Sequence, residues 1–555
     1  MDLDSEFKWD ASKIEKQQKN SEHMARIVLI NPEFKTSYWN FNHSLRIFGK
    51  QAVTPTSALP LLAALTPDHH EVILIDEAVE PIDFNVVASA DIVGLTGMIV
   101  QRERMRLLAR KIKDMGLFLV VGGPWITVQE DDLGDLPDVR FIGEADCSWP
   151  AFLEDFERGQ FNTRYEQDTR TDMTLLPAQR LDLLKVDRYL QGSVQISRGC
   201  PFMCEFCDII VTFGRQPRVK TPEQVIAELE AWKKAGMLAI FLVDDNIIGN
   251  RKALIPILEA ITQWQIANRY LVSLHTEASI NLAEDLELLD LFVSANIRTV
   301  FVGIETPNPE SLKETRKTQN IERSQRLKEA NPSSSEHFLL RQVHKIQSYG
   351  IKVTCGLIVG FDSDTPEIFD IQRQFIHDSG ITQSMLGLLS AIPKTPLYER
   401  LKREGRLDLK DPPDFGTNVI PKQIEREALA QGYLDLLEEV YSPSAYLERL
   451  NDLYIRRRFY DHAESVRVPK IPRLIQLQYL LMSFGFTAVL MGRLLWFARE
   501  EGLRWFYLRA LMNYARHKPY PMRYFDYVVE MACHYHFYRF TSDMTRNRTG
   551  IINSF

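Results

Sequence analysis

Cysteine is scarce in this chain: 6 in 555 residues, with three of them between positions 200 and 207. So few cannot form a disulfide framework, and their clustering points instead to an intracellular metal site. Long apolar runs are also lacking. Met1–Asn20 is charged and polar, which points away from a cleaved secretory signal. The most apolar window, Leu474–Phe497, has an uncharged core of only 14 residues, Tyr479–Gly492, closed by Arg493. A bilayer needs roughly 20 apolar residues, so this reads as a buried or interfacial helix instead of a span. Positive charge is the third shortage. Lys and Arg number 66 against 74 Asp and Glu, a net charge of −8. Without a basic field, no nucleic-acid partner is expected.

What remains is ordinary globular usage, 45% hydrophobic and 25% charged, in a chain long enough for two or three cores. Residues 24–151 alternate short apolar runs with helical stretches. Arg26–Asn31, Glu71–Asp76, Asp91–Thr96 and Leu117–Val121 are nearly continuous in apolar residues. Parallel strands covered on both faces have this composition, so a doubly wound, Rossmann-like α/β domain is predicted, with a ligand crevice at the carboxyl ends of its strands. A polar connector is predicted over 152–190. Strands then recur over 191–415, at Ser193–Arg198, Ala239–Val243, Leu271–His275, Thr299–Gly303, Lys352–Val359 and Met385–Ala391. Six βα units fit a partial (β/α)6 barrel whose chemistry sits at the carboxyl strand ends. Asn331–Ser335 reads as a surface loop, and 416–555 reads as helical.

The chemistry concentrates in Ser197-Arg-Gly-Cys-Pro-Phe-Met-Cys-Glu-Phe-Cys-Asp208, directly after a predicted strand. Cys200, Cys204 and Cys207, spaced C-x3-C-x2-C, suit three irons of a 4Fe–4S cubane and leave the fourth open. Electron-transfer cubanes are usually closed by four thiolates, whereas an open metal corner is what catalysis requires. Zinc suits this set poorly, because no fourth Cys or His lies nearby in sequence.

At this motif, with Phe206 before the last cysteine, the sequence resembles the radical S-adenosylmethionine superfamily. The resemblance implies that the open iron chelates S-adenosylmethionine, whose cleavage yields a 5′-deoxyadenosyl radical. It also implies a small-molecule substrate and a reductant such as flavodoxin or ferredoxin. Asp245 after the second strand, Glu277 after the third, Glu305 after the fourth and Gly360 after the fifth occupy positions where that superfamily contacts the cofactor. Acidic residues at strand ends also act as helix caps and turn formers.

An α/β domain ahead of such a barrel resembles the cobalamin-binding domain of the class B enzymes, the group that includes the hopanoid C-2 methylase. The resemblance rests on Asp76, Thr96, Gly122, Gly123, Trp125 and Glu144, which follow successive strands. Ala78 stands where a cobalt-ligating histidine would be, so the resemblance implies cobalamin without a protein histidine on cobalt and with Trp125 or nearby loops over its lower face. The implied activity is methyl transfer to an unactivated carbon of a lipid- or tetrapyrrole-like substrate by a cytoplasmic protein. A non-methylating radical enzyme and a non-catalytic cobalamin or iron–sulfur sensor stand beside it. The aromatic and basic tail reads either as a cap packing its own core on the barrel or as a surface for peripheral membrane contact. His534 and His536 read as core or surface histidines, and Cys355 as a core residue.

Overall fold

A computed structural model describes residues 24–322, 335–517, 520 and 523–547. The loop expected at Asn331–Ser335 falls, but for Ser335, outside them. Two compact units emerge: the chain through Glu33 with Ala58–Thr171, and Phe34–Ser57 with the residues from Asp172 onward.

In the first unit six parallel strands run β1 (Arg26–Asn31), β2 (Glu71–Asp76), β3 (Ile92–Thr96), β4 (Leu119–Gly122), β5 (Val139–Ile142) and β6 (Arg164–Glu166). Their order is β2-β1-β3-β4-β5-β6, so strand order reverses between β1 and β3. In a doubly wound sheet that reversal opens the ligand crevice. Val28, Ile30, Val93, Leu95, Leu119 and Val121 pack with Met105, Leu108 and Ile112 of the helix Arg102–Asp114. The expected domain end at 151 is corrected. β6 pairs in register with β5, which carries the first unit to Thr171 and leaves a shorter connector than 152–190. Both missed strands are short and bear charges, so they lack the apolar run that marks β1 to β4.

The second unit holds β7 (Gly192–Val194), the two-stranded β8 (Ser197–Arg198) and β9 (Arg218–Val219), then β10 (Ala239–Leu242), β11 (Ser273–Glu277), β12 (Ile297–Glu305), β13 (Lys352–Val359) and β14 (Ser384–Leu388). The parallel sheet is ordered β14-β13-β12-β11-β10-β7, the partial barrel that the sequence predicts. Burial alternates along its strands. Ile240, Leu242, Leu274, Thr276, Val300 and Val302 are fully buried beneath the outer helices. Phe241, His275, Glu277, Phe301 and Gly303 on the other face keep some exposure and therefore line the lumen. The helix Pro222–Lys234 starts sharply because Thr221 and Gln224 form a reciprocal capping box.

The C-terminal helices belong to this same unit, and Arg523–Asn547 runs through them with Tyr527, Val528, Ala532 and Phe537 buried. His534 and His536 are core residues: His534 lies 2.7 Å from the Tyr507 hydroxyl, and His536 lies 3.0 Å from the Ser37 carbonyl. Glu530 joins this helix to the barrel, accepting from Lys352 Nζ at 2.5 Å, Thr382 Oγ1 at 2.8 Å and Gln383 Nε2 at 3.2 Å. Glu530→Ala would leave the Lys352 ammonium buried without its carboxylate. The unit is expected to lose about 3–5 kcal/mol of stability, seen as an earlier urea midpoint. An unchanged midpoint would show that the pair does not hold the helix to the sheet.

Candidate functional site

The three cysteines sit on the loop that leaves β8, and backbone hydrogen bonds hold its shape. Gly199 adopts φ +98°, and a Cβ there would lie 3.0 Å from the Gly214 carbonyl, so only glycine turns the chain at this point. Its N–H donates to Asp245 Oδ2 at 2.8 Å. The Cys200 N–H donates to the Gly214 carbonyl at 3.3 Å, and Glu205 N–H to the Thr315 carbonyl at 2.9 Å. Two amides face the sulfurs: Asn246 Nδ2 lies 3.9 Å from Cys200 Sγ, and Gln319 Nε2 lies 3.7 Å from Cys204 Sγ. Burial pushes the Cys200 and Cys207 thiols up from their ordinary pKa. Thiols that resist ionisation alone but gather on one loop suit a group that displaces their protons. All six cysteines are free of disulfides.

Beside the loop stand three carboxyls from two neighbouring strands. Asp244 Oδ1 accepts from the N–H groups of Ile196 and Ser197, while its Oδ2 is buried without a hydrogen-bond partner. Burial raises Asp244 to about 7, Asp245 to about 6 and Glu277 to about 8, helped by the charge of Asp245 on Asp244, of Asp208 on Asp245, and of Asp245 and Asp244 on Glu277. An orphaned carboxylate oxygen in a cluster that resists ionisation is matched by a ligand ammonium. The sign of the pH effect follows. Glu277 holds its proton in the folded chain to a higher pH than in the unfolded chain. The ligand-free protein therefore loses stability as pH rises from about 4.5 toward 8. An amino N–H donated to these carboxyls favours their ionised form, so if they receive the amino group of S-adenosylmethionine, its affinity for the cluster-loaded protein should rise across pH 6 to about 8. Glu277→Gln should flatten this rise, as titration calorimetry in buffers of different ionisation enthalpy would reveal.

Glu305 ends β12 with φ 63°, where pairing with β13 shifts register. Its Oε1 accepts from Lys317 Nζ at 2.6 Å, and both side chains are largely buried. Burial works against the Lys317 charge, but Glu305, with the neighbouring Cys204 and Cys207 sulfurs, outweighs it and raises its pKa. Gly303 makes the pair possible, since a Cβ there would collide with Glu305 Oε1 and lie 2.8 Å from Lys317 Nζ. Phe206 lies under Lys317, with Nζ 6.0 Å from its ring centroid, and packs toward Phe361 at 6.3 Å. Gly360 turns the chain after β13 with φ +104°, and its N–H donates to Asp364 Oδ2 at 3.0 Å.

The sequence-predicted cysteines, Phe206, Asp245, Glu277 and Glu305 thus fall on the loop after β8 and at the carboxyl ends of β10, β11 and β12. Lys317 and Gln319 were missed as site residues, and Asp244 was ranked behind Asp245. Lys317 and Gln319 lie on a turn well past β12 and carry no motif. Asp244 stands beside the chosen Asp245, with nothing local to rank the two. Deeper in the lumen the Phe241 and His275 rings stack at 4.9 Å, and Trp39, from the segment contributed ahead of the barrel, rests 5.2 Å from Phe301. Burial, and then the Lys352 charge, lower His275 to about 3, so this imidazole is neutral beside the aromatic rings.

In the first unit the expected cobalamin residues do gather at the carboxyl strand ends, though several have structural duties. Asp76 Oδ1 accepts from Asn31 Nδ2 and from the Ala78 N–H, each at 3.0 Å. Glu144 Oε2 accepts from the Thr171 N–H at 3.2 Å. A Cβ on Gly123 would lie 2.5 Å from Thr96 Oγ1, and one on Gly122 would lie 3.3 Å from Phe141 Cβ, so close packing alone accounts for both glycines. Trp125 is fully buried among the helix and sheet side chains. The expectation that its ring covers a ligand face is corrected: an indole filling the core has no free face. The side chains exposed after β3 are Met98 and Val100, which leave an apolar rim beside the strand-order reversal.

Comparison with known proteins follows the same division. Residues 194–373 match the Radical SAM superfamily, and residues 395–549 match a domain of unknown function, DUF4070. The hopanoid C-2 methylase of Rhodopseudomonas palustris (strain TIE-1) is 36% identical over 429 residues, which cover 76% of this chain and 78% of that protein. The chain belongs to the radical S-adenosylmethionine methylase family of that enzyme. More distant in this family, the bacteriochlorophyllide d C-8(2)-methyltransferase of Chlorobaculum tepidum is 24% identical over 74% of this chain and 91% of its own. The fold is also that of two solved cobalamin-dependent members of the radical S-adenosylmethionine group. TsrM from Kitasatospora setae superposes with TM-score 0.55 at 16% identity over 74% of this chain and 82% of its own. OxsB superposes with TM-score 0.56 at 14% identity over 95% of this chain and 82% of its own.

Proposed function

We propose that this radical S-adenosylmethionine methyltransferase is cobalamin-dependent and places a methyl group on an unactivated carbon of a small apolar substrate. The observation that carries the reading is the three-thiol loop at the mouth of a barrel whose lumen carries the rings of Phe241, His275, Phe301 and Trp39 below its carboxyl end. When bound, the cluster with S-adenosylmethionine supplies a 5′-deoxyadenosyl radical and cobalamin supplies the methyl carrier, chemistry that no side-chain base performs on an sp3 carbon.

The residues divide the remaining work. Cys200, Cys204 and Cys207 hold the cluster, and Asn246 and Gln319 donate toward its sulfurs. Asp244, Asp245 and Glu277 would accept from the amino group of S-adenosylmethionine. Lys317, oriented by Glu305, gives its remaining donors to the carboxylate, while Phe206 and Gly360 flank the purine. Phe241, His275, Phe301 and Trp39 exclude water and seat an apolar substrate by area and shape. The apolar rim at Met98 and Val100, with Asp76, Thr96 and Glu144 behind it, holds cobalamin with no histidine on cobalt. A low-potential reductant such as flavodoxin or ferredoxin, a cytoplasmic location and contact at a membrane periphery belong to the same proposal.

The test is anaerobic turnover of the cluster- and cobalamin-loaded chain with methyl-deuterated S-adenosylmethionine. Methyl transfer requires both 5′-deoxyadenosine and S-adenosylhomocysteine, with deuterium appearing in a lipid or tetrapyrrole extract. 5′-Deoxyadenosine alone would replace this reading with a non-methylating radical enzyme. Full loading with neither product in the presence of such extracts would favour a sensor.

A further inference from the structure

The helix Arg473–Phe497 is long and apolar enough to cross a membrane, yet only 22% of its most apolar window is buried. Thr487, Leu490, Met491 and Leu494 form its buried stripe. The rest faces outward with Leu474, Leu477, Leu481, Phe486, Val489 and Trp496 exposed. A helix in water turns polar side chains outward, and one that is apolar all round belongs in a core or in lipid. The protein core does not take these side chains: Leu481 is 64% exposed and Trp496 is 70% exposed. Of the two expectations for this segment, a buried or an interfacial helix, the exposure of these side chains favours the interfacial one.

The next helix, Arg504–Arg516, continues the surface with Trp505, Arg509, Met512 and Arg516 exposed at helical spacing. The Arg499 guanidinium lies 5.6 Å from the Trp496 ring, and that of Arg504 lies 5.8 Å from the Trp505 ring. Between Lys470 and Arg516 seven Lys and Arg stand against two Glu, in a chain of net charge −8. One of those two, Glu501, is already paired with Arg539.

We propose that these two helices form the surface by which the protein docks on an anionic phospholipid bilayer, with Arg473–Phe497 lying in the plane of the interface. This deepens the peripheral contact proposed above and does not depend on methyl transfer. Two anchors set the orientation. The Tyr479 hydroxyl donates to the Arg269 carbonyl at 3.2 Å, and Arg493 Nη1 to the Ile47 carbonyl at 3.4 Å. A helix held to the folded unit at both points cannot stand across a membrane. It can sink its apolar side chains to the acyl boundary while arginines and tryptophans stay at headgroup depth. Charge decides between lipid and a second copy as the occupant. A two-fold pairing would set this cationic surface against itself, whereas anionic headgroups neutralise it.

Flotation of the cluster-loaded full chain with vesicles of equal parts phosphatidylcholine and phosphatidylglycerol tests the proposal. The chain should float with them, and with phosphatidylcholine alone its recovery should fall about tenfold or more. The double variant Leu481→Glu/Trp496→Glu should lose flotation while keeping the wild-type melting temperature, iron content and 5′-deoxyadenosine formation. Retained flotation in that variant would overturn the proposal. So would a wild type that ignores both vesicles but scatters light as a dimer which the variant splits. A chain released only by detergent would overturn it in favour of a spanning helix. Since 5′-deoxyadenosine is measured without vesicles, failure of docking and failure of the radical chemistry are separate results.

Discussion

Cys204→Ala is expected to empty the site of iron and take turnover to background, a loss of at least about a millionfold on the usual scale of enzymatic acceleration. Cys204 is the buried member of the three and faces the Gln319 amide. With it gone, two thiols remain on a loop pinned by Gly199 and Asp245, and no other cysteine among the described residues stands on that loop. Cys147 belongs to the other unit, and Cys355 and Cys533 are buried elsewhere in the core. Iron and sulfide content, the cluster's visible absorbance and 5′-deoxyadenosine yield should all vanish together, while cobalamin binding persists. A variant with normal iron and turnover would end the assignment of this loop.

Lys317→Met is expected to weaken S-adenosylmethionine binding by about two to three orders of magnitude, the scale of breaking a buried charge pair. Glu305 would then be buried without its cation, in a pocket where Gly303 leaves room for the pair. A purely structural pair and a cofactor contact differ in one respect. The double variant Lys317→Met/Glu305→Leu removes the uncompensated charge and should recover most of the melting temperature. If Lys317 serves the cofactor carboxylate, the double variant stays as weak in cofactor binding as the single one. Recovery of binding along with stability would make the pair structural.

Legibility followed locality. The cysteine loop could be read because its three cysteines lie within eight positions and follow a strand, so spacing alone marks it as a candidate cluster site. β13 was read to the residue because Val353–Val359 is polar only at Thr354 and is rich in β-branched residues, which admits few alternatives. β11 was placed two residues early, since His275 and Glu277 line a lumen and break the apolar pattern that marks a buried strand. Lys317 was invisible for a deeper reason: it reaches Glu305 across a turn, and nothing in sequence predicts which distant lysine a buried carboxylate finds. Trp125 misled in the opposite direction. A tryptophan after a glycine pair looks like a ligand cover, but a large ring at the start of a helix on a parallel sheet is also what fills a core.

The excursion of Phe34–Ser57 from the first unit into the second bears on the chain's synthesis. Tyr38 stacks 4.6 Å from Phe537, and Ser37 meets His536 across 499 positions. At ribosomal speeds of about 5–20 residues per second, this early segment waits roughly 25–100 s for its partners to emerge. The first unit can close long before then around a looped-out, aromatic stretch. During that interval Tyr38, Trp39 and Phe41 are exposed, and they are the side chains a chaperone would be expected to hold.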